Sequence, residues 1–241
     1  MRMKTQEKNQ YLLTSGDSER KKLDVNFWLV SIIALVVAVA VYAIALSVRT
    51  TFIGVLLYER GLTQYLVIYL ASIVVSLTVI KLIKLQKESI ALRRSWVPQT
   101  VTFDNPHSRD LFILQKNLAK QNKLLPIRCS RVLTAYIQSG SRKTAAELSL
   151  DDSTFYLSAS ESSYTFPRIL VWAIPLLGFI GTVIGISQAV NGFSGFLEQA
   201  GEIEQIKEGI GTVTSGLAVA FDTTLLALLL SVLVMIPLVL V

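Results

Sequence analysis

The chain has 241 residues, 52% of them hydrophobic, and its mean hydropathy of +0.53 excludes an ordinary soluble domain and indicates a membrane protein. The net charge of +6 would suit a nucleic-acid-binding protein. The basic residues flank the apolar runs, however, so we expect a lipid bilayer as the surrounding medium and no direct contact with nucleic acid.

Four runs are each long enough to cross a bilayer, which takes about 20 apolar residues. They cover residues 25–48, 62–80, 169–190 and 210–241, and only the last contains a charged residue, Asp222. The polar residues 1–24 lack the apolar core of a cleavable signal peptide. We therefore predict an all-α membrane protein with four transmembrane helices, the first pair within residues 25–80.

The lysine and arginine residues predict the orientation of these helices. Six of them lie in residues 1–24 and 14 in residues 81–168, against two in the first connection and one, Lys207, in the last. Cytoplasmic segments carry such an excess. We predict a multi-pass protein whose N-terminal tail (1–24) and central region (81–168) lie in the cytoplasm.

The central region is predicted to be largely helical. The stretch "KLIKLQKESIALRR" continues the second membrane helix, and "RDLFILQKNLAKQNK" has apolar residues at helical spacing. Asn105–Pro106 and Leu125–Pro126 predict breaks. The serine-rich stretch "LSLDDSTFYLSASESSY" is either the start of the third membrane helix or a loop. The connection between the first two runs is expected to be a short turn.

Small residues form a face on each of the last two membrane helices. The stretch "GFIGTVIG" places Gly178, Gly181, Gly185 and Thr182 in two helical turns, although glycine costs about 1 kcal/mol relative to alanine in a helix. In lipid, small residues let two helices approach closely. The fourth run has a matching stripe: Thr212, Gly216, Ala220, Thr224, Ala227 and Ser231.

Two interpretations of these faces stay open. The small residues either serve helix packing alone, or their hydroxyl groups also line a path for an ion or a partner helix. Because the first two runs are bulkier, we expect them to face lipid, with the last two inside a ring of copies.

Two further residues stand out in these runs. Pro175 removes a backbone donor, so we expect a kink in the third helix. Asp222 is a carboxylate in a membrane helix, which costs about 2.5–3.5 kcal/mol at the bilayer centre and usually has a function. It is either an ion-binding site at the inner end of a path or a structural anchor held by hydroxyl groups.

The pairing of "IPLLGFIGTVIGISQAV" with "EGIGTVTSGLAVAFDTTLLALLLSVLVMIP" resembles the MotA/TolQ/ExbB proton channel family. The resemblance covers about residues 167–237. The additional helix pair in front is more similar to the flagellar-stator type than to the three-helix TolQ and ExbB type. Residues 169–241 would then form the channel core of the family.

This resemblance implies a pentamer that surrounds a dimer of a single-span MotB/TolR/ExbD-like partner in the bacterial inner membrane. The aspartate of the partner would carry the ion, a proton or alternatively Na⁺, and ion flow would do mechanical work on another structure. No cofactor is implied.

The resemblance also assigns residues. Thr182 matches the threonine of the third helix, and Pro175 matches its proline. In the fourth helix the usual threonine position holds Val213, so Thr214 is taken as the second polar residue of the ion path. Asp222 and Thr223 depart from the common pattern and complete the predicted path.

Other functional classes have less support in the residues. A non-conducting membrane scaffold, packed through its small-residue faces, is the main alternative. A secondary transporter is disfavoured because the four runs show no internal repeat. The chain has no nucleophile–base set, so no enzyme is expected. Its one histidine, His107, and one cysteine, Cys129, predict neither a metal site nor a disulfide.

Overall fold

The computed structural model of the chain describes residues 26–58, 61–93, 96, 98, 101–121, 123–197 and 203–240. These ranges contain seven helices and no strand: α1 (Phe27–Leu46), α2 (Phe52–Tyr58), α3 (Leu62–Leu92), α4 (Arg109–Ala119), α5 (Leu124–Ser139), α6 (Arg142–Leu197) and α7 (Ile203–Leu240). Helices α1, α3, α6 and α7 are long and apolar enough to cross a membrane. The predicted helical class and the four candidate spans are therefore confirmed, while the tail predicted for residues 1–24 lies outside the described residues.

The structure resolves several questions that the sequence left open. Helix α3 runs on to Leu92, as predicted, and α4 covers the predicted amphipathic segment. The serine-rich stretch is helical, because α6 begins at Arg142 and passes through it. The expected short turn between the first two spans was wrong, since α2 lies within that connection. Pro126 lies in the first turn of α5, where its missing N–H is tolerated.

Local sequence signals account for several helix ends. The side chain of Asn26 accepts a hydrogen bond from the Trp28 N–H at 3.2 Å, and that of Ser108 accepts from the Leu111 N–H at 3.3 Å. Both are N-cap contacts that satisfy a backbone donor. Gly140 ends α5 with a φ of 68°, a left-handed conformation that glycine adopts without a Cβ clash.

The chain divides into two compact units, which we describe separately. The membrane unit comprises residues 26–80 and 166–241, and the second unit lies, within the described ranges, in residues 81–165. We call the latter the 81–165 unit. Its hydrophobic core joins α4, α5 and the start of α6 through Leu111, Leu114, Leu118, Leu133, Tyr136 and Ala145.

Lys81 is a buried cation of the 81–165 unit. Its Nζ donates to the Ser163 carbonyl oxygen at 2.8 Å and is 2.7 Å from the Ser163 hydroxyl. The same ammonium group lies 3.4 Å from the ring centroid of Tyr164. These contacts tie α3 to α6 in this unit.

Helix α3 is the central helix of the membrane unit. In the most apolar 18-residue stretch of α3, 56% of the residues are buried within the chain. The corresponding share is 17% for α1 and 28% for α6 and for α7. The buried hydroxyls of Ser72, Ser76 and Thr78 donate to carbonyl oxygens four residues earlier in the same helix. The other helices of the same chain thus cover about half of this part of α3, whereas α1 exposes large apolar side chains such as Ile32 and Ile44. The expected lipid-facing position of the first two spans in a ring stays a prediction.

Candidate functional site

Helices α6 and α7 approach so closely that backbone meets backbone. A Cβ added at Gly185 would lie 2.7 Å from the Gly216 carbonyl oxygen and 2.7 Å from the Ala220 nitrogen. A Cβ added at Gly216 would lie 2.8 Å from the Ala189 nitrogen. No real Cβ can occupy these positions without separating the helices. The predicted packing role of Gly185, Gly216 and Ala220 thus has a direct geometric basis.

The close contact extends along both helices. A Cβ at Gly178 would meet the Ala227 Cβ at 2.5 Å, and one at Gly192 would meet the Thr212 Cγ2 at 2.5 Å. Near one end, the Ser231 hydroxyl donates to the Val171 carbonyl oxygen at 3.1 Å. The two small-residue stripes therefore face each other within one chain, and α6 and α7 run antiparallel.

A cluster of hydroxyl groups lies in the middle of this contact. The Thr182 hydroxyl is hydrogen-bonded to the Thr224 hydroxyl. Both hydroxyls lie 3.1 Å from the Ala220 carbonyl oxygen, and the Thr223 hydroxyl donates to that oxygen at 3.0 Å. The Gly178 carbonyl oxygen lies 3.2 Å from the Thr182 hydroxyl and 3.3 Å from the Thr224 hydroxyl. Three hydroxyl groups therefore share two carbonyl oxygens.

Helix α3 reaches the same layer through Thr63. A Cβ at Gly181 would lie 2.7 Å from the Thr223 hydroxyl oxygen and 3.0 Å from the Thr63 hydroxyl oxygen. Thr63 and Thr223 are buried, with 9% and 2% of their surface exposed. Gly181 thus leaves room for two hydroxyl groups behind Thr182, and Thr223 lies in the interior of the membrane unit.

The other predicted path residue of α7, Thr214, lies apart from this cluster. Thr214 is exposed, and its hydroxyl donates to the Ile210 carbonyl oxygen at 2.8 Å. It is two residues from Gly216, which places it about 160° around α7 from the contact with α6. The structure therefore brings Thr182 and Thr223 together and separates Thr214 from them.

Asp222 lies on yet another side of α7. It is half-buried, one turn before Leu226. Leu226 packs with Ala38 of α1, Leu56 of α2 and Ile68 of α3. The side of α7 that carries Asp222 thus faces these three helices and is turned about 160° from Ala220 and Thr224.

Pro175 lies inside α6, which continues through it, so the predicted kink stays a prediction. Sequence reasoning placed Thr224 on the small face without giving it a role in the site, and it omitted Thr63. For Thr224 a signal existed, because Ala220 and Thr224 are one turn apart on the stripe opposite Thr182. For Thr63 we find none.

The sequence model of the MotA/TolQ/ExbB proton channel family matches residues 119–240, about half of the chain. The match includes all of α5, α6 and α7, and therefore the whole hydroxyl cluster contributed by α6 and α7. No curated protein and no solved structure gives a significant match. The resemblance described from the sequence is confirmed.

Proposed function

The chain belongs to the MotA/TolQ/ExbB proton channel family, and from this premise we propose that it is the larger, ion-conducting subunit of a membrane motor. In this proposal the chain couples the flow of ions, expected to be protons, to mechanical work through a partner. It is a channel and stator subunit, with no catalytic chemistry of its own. The membrane potential supplies about 2.3 kcal/mol per charge per 100 mV.

The proposed assembly is a pentameric ring around a dimer of a single-span MotB/TolR/ExbD-like subunit in the bacterial inner membrane. The 81–165 unit and the N-terminus lie on the cytoplasmic side, in keeping with the distribution of lysine and arginine. Within the described membrane helices α6 has no charged side chain between residues 169 and 197, so the ion carrier must come largely from the partner.

The hydroxyl cluster of Thr182 and Thr224 is the observation that carries the proposal. Neutral hydroxyl groups can relay or briefly coordinate a small cation without trapping it. Thr182 lies between Gly178 and Gly185 in the close contact of two helices that both belong to the matched family region. We propose Thr182 and Thr224 as the central polar residues of this chain, with Thr223 behind them. Thr214, which is exposed in one chain, would face the path at a different depth.

Proton flux in vesicles tests this function. The chain would be purified with the single-span protein that binds it, reconstituted, and exposed to a potassium-diffusion potential. We expect proton uptake from a complex whose partner has a membrane carboxylate. The absence of proton flux from a homogeneous complex that contains such a partner would contradict the proposal.

The alternative is a non-conducting scaffold, which the backbone contacts of Gly185 and Gly216 favour, since these contacts explain the glycines by packing alone. A scaffold would retain its function when the hydroxyl of Thr182 is removed. A motor subunit without the Thr182 hydroxyl would lose its function, although the complex would still assemble.

A further inference from the structure

The 81–165 unit contains a cavity of about 330 Å³ beside its hydrophobic core. The wall is mainly apolar and is formed by Phe103, Leu118, Leu125, Val132 and Leu133. Cavities that bind small molecules usually have volumes of about 300–1,000 Å³, apolar walls and a few placed polar groups. The cavity is thus large enough for a small organic molecule.

The wall also includes two charged residues. Arg128 and Asp152 line the cavity, with Arg128 Nε 2.8 Å from Asp152 Oδ2. A second guanidinium shares this carboxylate, since an Arg131 terminal nitrogen lies 3.0 Å from Asp152 Oδ1. Asp152 thus accepts from both guanidinium groups, and of these two arginines Arg128 belongs to the cavity wall.

Both guanidinium groups are held in place. A terminal nitrogen of Arg128 donates to the Ser153 hydroxyl at 2.7 Å, and one of Arg131 donates to the Tyr156 hydroxyl at 2.8 Å. The ring of Tyr156 lies 4.7 Å from the Arg128 guanidinium carbon. A guanidinium has five N–H donors, so the two bonds named for Arg128 leave donors for another acceptor. The charge is thus preorganised, which favours binding of an anion.

We propose that this cavity binds a small organic anion that has an apolar body and one acidic group. The apolar wall would enclose the body, and Arg128 would bind the acidic group. Arg128 selects the anion, because its remaining N–H donors can bind an acidic group and its positive charge disfavours a cation. This inference is independent of the proposed motor function, because it uses only residues of the 81–165 unit.

Cys129 provides a reporter for this cavity. It lines the cavity, is half-buried, and is the single cysteine of the chain. A molecule in the cavity would cover the thiol and slow its alkylation. The rate of reaction with N-ethylmaleimide therefore measures occupancy in the full-length protein without an engineered label.

The experiment compares three probes that share one apolar body and differ in charge: 4-phenylbutyrate, 4-phenyl-1-butanol and 4-phenylbutylamine. Each would be titrated against the purified full-length complex at constant pH, with alkylation of free cysteine in the same detergent as the blank. We expect saturable protection of Cys129 by the anion at a concentration about tenfold lower than by the alcohol. The amine should protect least. Equal protection by all three probes, or by none, would overturn the proposal.

Substitution of Arg128 tests the role of its charge. In Arg128→Gln the anion should lose its advantage over the alcohol, while the alcohol still protects. Lys143→Gln is the control, because Lys143 belongs to the same unit, is exposed and lies 4.0 Å from Glu147, and neither residue lines the cavity. An anion preference that persists in Arg128→Gln would contradict the assignment.

Asp152→Asn supplies an independent test should Arg128→Gln fail to fold. It removes the negative charge and leaves both guanidinium groups, so the anion should protect at a lower concentration than in the wild type. An unchanged or weaker preference for the anion in Asp152→Asn would overturn the charge argument.

Discussion

The Thr182 hydroxyl lies against the Thr224 hydroxyl, and each is 3.1 Å from the carbonyl oxygen of Ala220. This relationship joins the two helices of the family core at a polar layer in the middle of their contact. The glycines and the threonines have different roles in this contact. The glycines determine how closely the helices pack, and the threonines provide its hydroxyl groups.

Replacing Thr182 with valine should abolish ion-driven function without preventing assembly. Valine preserves the shape of the side chain, and a membrane hydrogen bond is worth about 0.6 kcal/mol on average, so the complex should remain intact. Proton flux of the purified wild-type and Thr182→Val complexes is the measurement. Thr224→Val should behave in the same way, whereas Thr212→Val, which keeps the methyl group near Gly192, should conduct normally. Full flux in Thr182→Val would reduce Thr182 to a packing residue.

Gly185→Ala should separate α6 from α7. The added methyl group would overlap backbone atoms of Gly216 and Ala220 at 2.7 Å, and backbone cannot move aside as a side chain can. Overpacking of this kind costs about 1–3 kcal/mol or more. We expect a lower melting temperature and a lower yield of assembled complex. Gly211→Ala is the control, because a Cβ at Gly211 meets nothing within 4 Å. Similar melting temperatures for the two variants would refute the close contact.

Asp222→Asn should leave proton flux unchanged. Asparagine keeps the size and much of the hydrogen bonding of aspartate but cannot titrate. Since Asp222 lies on the side of α7 that carries Leu226, turned away from Thr182, we expect an anchoring role. Flux should be compared at equal subunit stoichiometry. A loss of flux in an intact Asp222→Asn complex would instead place the carboxylate in the ion path.

Lys81→Met should destabilise the 81–165 unit. The substitution removes a charged donor to Ser163 and a cation–π contact with Tyr164, which contribute about 1.5–3 and about 1–2 kcal/mol in partly buried sites. The expected result is faster proteolysis within residues 81–165 and a lower melting temperature. Lys87→Met removes the same charge from an exposed position of α3 and serves as the control. Equal resistance of both variants to protease would show that the Lys81 contacts add little.

The thiol of Cys129 should react slowly at neutral pH. Burial raises its pKa, because a low-dielectric surrounding disfavours the thiolate. The thiolate is the nucleophile, so a raised pKa lowers the reactive fraction at every pH below it. The alkylation rate should therefore keep rising above about pH 8.5, the ordinary thiol pKa. In denatured protein the thiol is no longer buried, so the alkylation rate should show the pH dependence of an ordinary cysteine. Identical profiles for folded and denatured protein would contradict this expectation.

The long elements were predictable because their signals are local. The four apolar runs and the glycine spacing from Gly178 to Gly185 can be recognised in the sequence without knowledge of tertiary contacts. The pairing of Thr182 with Thr224 was not, because α7 offers several hydroxyl groups and only the register of two helices selects one of them. The position of Thr63 beside Gly181 was not predictable for the same reason, since the two residues are more than 100 positions apart in the chain. The short α2 lacks the length for a periodic signal.

The carbonyl oxygen of Ala220 has three hydroxyl groups within 3.1 Å and, in a regular helix, also accepts the N–H of Thr224. A carbonyl oxygen has two lone pairs, so the three hydroxyl hydrogens cannot all point to it at once. The three hydroxyl hydrogens therefore have more than one possible arrangement, and rotation about the C–O bonds converts one into another. The orientation of the hydroxyl dipoles in the middle of the helix contact can thus change by rotation of hydrogen atoms alone.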